Sequence, residues 1–120
     1  RKNWQNKMAK ILITNSLFNK IRKKFDNSEA NKIIDLMNSL GEYPKKGTAV
    51  GVVGNIVVKE IKYGKFRFYF VTNRFKIKFL SVEELKDIFI KFVGMSEKKD
   101  QQEVIDRIKF VLRNLGEEEF

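Results

Sequence analysis

The sequence predicts an α+β domain: an N-terminal strand and a helical hairpin packed on a small antiparallel sheet, followed by a C-terminal helix. Three observations carry this. Apolar residues recur at helical spacing between Leu17 and Leu40, the period changes to two from Ile56 to Phe79, and helical spacing returns from Val104 to Leu115. With 120 residues the chain has room for one core, and its eleven phenylalanines supply large apolar surfaces to fill it. Residues 1–120 are therefore read as a single domain, with 1–8 and 116–120 as tails.

The elements follow in chain order. Ala9–Thr14 is short and β-branched and reads as a strand. Asn15 or Ser16 is placed to cap a helix whose stripe is Leu17, Phe18, Ile21 and Phe25. Asn27-Ser28 breaks that helix and caps a second one, striped by Ala30, Ile33, Ile34, Met37 and Leu40 and stopped by Gly41. Pro44, the only proline, marks a turn between the helical half and the sheet half. Val50–Asn55 is glycine-rich and reads as a loop or bulge; its glycines match neither phosphate-binding pattern.

Strands are expected over Ile56–Tyr63 and Lys65–Thr72, joined by a turn at Tyr63-Gly64. Alternation puts Phe66, Phe68 and Phe70 on one face and Lys65, Arg67, Tyr69 and Val71 on the other. Phe75, Ile77 and Phe79 then alternate with Arg74, Lys76 and Lys78. A sheet of this kind packs helices on one face and leaves the other open. The expected open face carries Lys65, Arg67, Arg74, Lys76 and Lys78, cations that repel one another unless an anion sits among them. Lysines that merely block edge pairing are the alternative. Ser81–Asp87 reads as an acidic turn, and Ile88–Val93 as a further, central strand. Ser96 is the expected cap of a last helix running to about Leu115.

Charge narrows the function. The net charge is +10, and residues 45–78 carry nine Lys/Arg against Glu60 alone. Such a segment is the footprint expected of a polyanion binder, with charge kept for solubility as the bland reading. The chain contains no cysteine and no histidine. Disulfides, Cys/His zinc sites, thiol nucleophiles and histidine general bases are thereby excluded, and no metal or cofactor is expected. No apolar run reaches the roughly 18 residues that span a bilayer. No apolar h-region follows the basic Arg1–Lys7, so the expectation is a cytoplasmic protein.

Two stretches carry a family resemblance. Lys59-Glu60-Ile61-Lys62-Tyr63-Gly64-Lys65-Phe66-Arg67-Phe68-Tyr69-Phe70 resembles the signature of the RelE/HigB superfamily of toxins from toxin–antitoxin pairs. There a polar, an aliphatic and a basic residue lead through a short turn into an aromatic–Arg pair. Phe92–Ile105, with Lys98, Lys99 and a glutamine after them, is similar to the last strand, basic turn and helix of that family. The likeness spans roughly residues 9–110.

The resemblance implies a sheet with helices on one face and a basic concave surface on the other. It also implies a metal-independent endoribonuclease that cuts mRNA on the ribosome and is neutralised by an antitoxin, with no membrane and no small-molecule cofactor involved. Arg67 matches the arginine that would clamp the scissile phosphate through two donors. Lys62 matches the basic position before the turn, and Lys98 and Lys99 the basic turn before the last helix. These four are the candidate catalytic residues. Without histidine, lysines must move the protons, and crowding of cations is one way to make them fit for it. Lys45, Lys46, Lys65, Tyr69, Arg74, Lys76 and Lys78 are the candidate nucleic-acid-binding residues, with Tyr69 as a base-stacking ring. Three alternatives stand beside this reading. They are a non-catalytic RNA- or DNA-binding domain of the same fold, a ParE-like gyrase inhibitor, and an Arg67 that merely pairs with Glu60 across the hairpin.

Overall fold

The computed structural model of the chain describes residues 10–42, 47–73, 89–116 and 119–120. They form an α+β fold in the order β1 (Lys10–Ile13), α1 (Asn15–Lys24), α2 (Asn27–Ser39), β2 (Thr48–Val53), β3 (Ile56–Tyr63), β4 (Phe66–Asn73), β5 (Phe89–Glu97), a 3-10 turn (Lys98–Asp100) and α3 (Gln101–Asn114). The five strands make one sheet, ordered β1-β5-β4-β3-β2. It is mixed rather than antiparallel, because β1 lies parallel to β5 while every other pair is antiparallel.

Local chemistry explains the boundaries. Thr14 ends β1 by donating its N–H to the Phe92 carbonyl, and its Oγ1 accepts the Leu17 N–H. Thr14, not Asn15 or Ser16, is thus the cap of α1. Asp26 caps α2 in the same way, its Oδ1 accepting the Glu29 N–H at 2.8 Å. Of the loop or bulge expected at 50–55, the bulge is present: β2 is an edge strand whose register shifts between Ala49 and Gly51, and only Gly54-Asn55 form a turn. A Cβ at Gly51 would lie 2.6 Å from Cε of Lys109 of α3, the far end of a flexible side chain that can move aside. Each hairpin turns on two residues, Gly54-Asn55 and Gly64-Lys65. Gly54 and Gly64 have φ near +60°, and no other residue type among those described has positive φ, as a glycine-first hairpin turn requires.

The sheet separates two cores. On one face Leu17, Ile21, Ala30, Ile33, Met37 and Leu40 of the first helices and their flanks bury Ile61, Phe68, Phe70, Ile90 and Phe92. Phe66, Phe68 and Phe70 share this face as expected, and Phe66 meets Phe25 edge to face at 5.0 Å. On the other face Val104, Ile105, Ile108 and Leu112 of α3 cover Val58, Tyr69 and Val71. The face expected to be open is therefore closed. The amphipathic stripe of α3 needs an apolar partner, and α1 and α2 already occupy the first face. Phe120 also packs against this second core. The expected strand at 74–79 and the acidic stretch at 81–87 lie outside the described residues. Among the described residues no helix is long and apolar enough to cross a membrane.

Candidate nucleic-acid interface

The register of the β3–β4 hairpin sets Lys62 opposite Arg67 and Glu60 opposite Tyr69, all on the α3 side of the sheet. Across β4–β5, Arg67 faces Ser96, two positions before Lys98. One end of the sheet thus collects Lys62, Arg67 and the Lys98–Lys99 turn, which leads into α3. Lys62, Lys98 and Lys99 are exposed. These are the four candidate catalytic residues, and the topology gathers them from distant parts of the chain.

A buried polar cluster underlies them. Glu60 is 6% exposed, and its Oε1 accepts a 2.9 Å hydrogen bond from Gln101 Nε2. The same oxygen lies 3.9 Å from Arg67 Nε, an ion pair too long to be a hydrogen bond. Arg67 Nε is buried and has no acceptor within reach among the described residues, while the Arg67 side chain as a whole keeps 13% exposure. A buried carboxylate needs partners. Here Glu60 has an amide and a guanidinium, and the guanidinium is held in place without its donors being saturated. Ser96 belongs to β5 and does not cap the last helix. Its Oγ is 2.8 Å from the Tyr69 hydroxyl. The cap is formed instead around the 3-10 turn, where Glu97 and Asp100 bond one another's backbone N–H reciprocally.

Two candidate binding residues stand elsewhere than expected. Tyr69 is fully buried beneath α3 and cannot stack on a base. Lys65 is a turn residue whose ammonium lies 5.5 Å from the centre of the Phe66 ring, so it is not grouped with Arg67. Lys45, Lys46, Arg74, Lys76 and Lys78 fall outside the described residues. Gln101 and Ser96 join the site through Glu60 and Tyr69, although the sequence pointed to Ser96 only as a helix cap and to no role for Gln101. Glu60, the lone acid among the cations of 45–78, was the one visible sign of this cluster.

Burial raises the Tyr69 phenol above its ordinary value of 10.0, with Glu60 acting in the same direction and the Ser96 hydrogen bond and Arg67 opposing. The neutral ring is the form that fits. Above pH 10 the unfolded chain gives up this proton before the folded one does, so the contribution is intact below that pH and is lost above it. Between about pH 9 and about pH 11, wild type should lose more stability than Tyr69→Phe, measured by urea unfolding. Parallel losses in the two proteins would contradict the assignment.

Comparisons with protein-family models, with curated proteins and with solved structures give no match.

Proposed function

We propose that this chain is a RelE/HigB-like toxin, a metal-independent endoribonuclease that cuts ribosome-bound mRNA and is held inactive by an antitoxin protein. The observation that carries the reading is the convergence of Lys62, Arg67, Lys98 and Lys99 at one end of β3, β4 and β5. Cations paired across strands repel. Lys62 opposite Arg67 is an arrangement that a phosphate between them would stabilise.

The chemistry is transesterification. The 2′-oxygen bonds to the adjacent phosphorus, the bond to the 5′-oxygen breaks, and a cyclic phosphate and a 5′-hydroxyl result. Arg67 neutralises the phosphorane, where charge develops and a preset cation acts most strongly. Its orientation comes from Glu60, itself oriented by Gln101. Removing the proton from the 2′-hydroxyl and returning one to the 5′-oxygen fall to Lys62, Lys98 and Lys99.

One observation favours a second reading, a non-catalytic RNA-binding domain. RelE-type toxins commonly carry a tyrosine early in the last helix, whereas Val104 and Ile105 stand there and are buried against the sheet. A cleavage assay on translating ribosomes separates the two. Defined cuts by wild type that vanish in Arg67→Ala are the expected result. RNA binding without any cutting by wild type would leave the binding domain.

A further inference from the structure

We propose that the groove between α1 and the facing ends of β4 and β5 is a second nucleic-acid site, one that seats the sugar–phosphate backbone of single-stranded RNA. It opens on the α1–α2 side of the sheet, opposite the Arg67 face. Its volume is about 460 Å³, and Lys20, Lys23, Lys24, Phe66, Met95 and Ser96 line it.

The three lysines are exposed and sit at i, i+3 and i+4, so they share one face of α1. Among the described residues no carboxylate lies within ion-pair distance of them. Lys24 instead rests 5.4 Å from the Phe66 ring centre, and Lys65 approaches the same ring. Cations in the last turn of a helix favour its dipole, which accounts for Lys23 and Lys24. Lys20 lies a turn earlier, and like charges at these spacings destabilise a free helix. A polyanion laid along this face would relieve that repulsion.

The opposite wall carries Glu97 and Asp100. Their carboxylates are engaged in the reciprocal cap of the 3-10 turn rather than with the lysines. Phe66 and Met95 are partly buried and give the groove an apolar floor, which suits ribose and base better than it suits an acidic peptide. Ser96 lines the groove and also faces Arg67 across β4–β5. The site does not depend on Arg67 cutting RNA.

The test is fluorescence anisotropy of a short labelled oligouridylate with wild type, Lys20→Gln/Lys23→Gln/Lys24→Gln and Arg67→Ala. Losing three phosphate contacts should make the salt slope of log K shallower by about 2 and weaken binding about tenfold at low salt. The melting temperature of the triple variant should stay close to that of wild type, since relief of like-charge repulsion offsets the lost dipole and Phe66 contacts. Arg67→Ala should lose only the single phosphate contact assigned to it, making the salt slope shallower by about 0.7 and the loss smaller than in the triple variant, even if no cleavage is ever observed. An unchanged salt slope in the triple variant would overturn the site. So would polyglutamate binding to wild type as tightly as the oligonucleotide, which would mean that the groove reads charge alone.

Discussion

Under the proposed nuclease reading, replacing Arg67 with lysine is expected to slow RNA cleavage by about 100-fold or more while leaving RNA affinity nearly unchanged. Lysine keeps the charge that attracts a phosphate in the ground state. It lacks the planar fork that meets two equatorial oxygens of the phosphorane at once. It also cannot keep the approach of Arg67 Nε to Glu60 Oε1, 3.9 Å in the native protein, so the ammonium is no longer aimed. Both rate and affinity are to be measured on the same variant, with translating ribosomes for the first and a non-cleavable RNA for the second. Equal, small losses in the two would show that Arg67 only attracts the polyanion, and the nuclease reading would give way to the binding domain.

Truncating Tyr69 to alanine is expected to destabilise the fold by about 3–5 kcal/mol, as for other fully buried aromatic rings. That is a large share of the roughly 5–15 kcal/mol that a domain of this kind has in total. Tyr69 is 0% exposed, packs under α3 and loses the Ser96 hydrogen bond when truncated. Phe110, on the outer side of the same helix and 60% exposed, is the internal control. Phe110→Ala should change stability by no more than about 0.5 kcal/mol. Denaturant midpoints of the two variants decide the matter. If Tyr69→Ala proved as mild as Phe110→Ala, the ring would be an exposed platform and the sheet would have the open face that its alternation first suggests.

The β3–β4 hairpin shows how far local pattern reaches. Alternation through Phe66, Phe68 and Phe70 assigned each residue its face correctly, because side-chain direction in a strand depends only on parity. A turn at Tyr63-Gly64 would have set Glu60 directly opposite Arg67. The turn at Gly64-Lys65 moves Glu60 opposite Tyr69 and puts Lys62 opposite Arg67. The faces survive that shift and the partners do not, since moving a turn by one residue displaces the register by two. The Glu60–Arg67 contact remains as a diagonal pair, still within reach of long side chains.

By itself the sequence determined the α+β class, the helical stripes apart from Phe18 of α1, which is 38% exposed, the parity of β4, the basic middle of the chain and the absence of thiol and imidazole chemistry. Each of these is a property of composition or of near neighbours along the chain. Only the tertiary structure decided that β1 runs parallel beside β5, that α3 closes the second face, and that Gln101 reaches Glu60. An amphipathic helix announces that it has an apolar side but not which surface will take it. Both faces of β4 were apolar enough to be that surface, with Phe68 and Phe70 on one and Tyr69 and Val71 on the other. The choice fell to the whole chain, because α1 and α2 had already covered the first face, and so Tyr69 became core while Arg67, at the end of the same strand, stayed within reach of solvent.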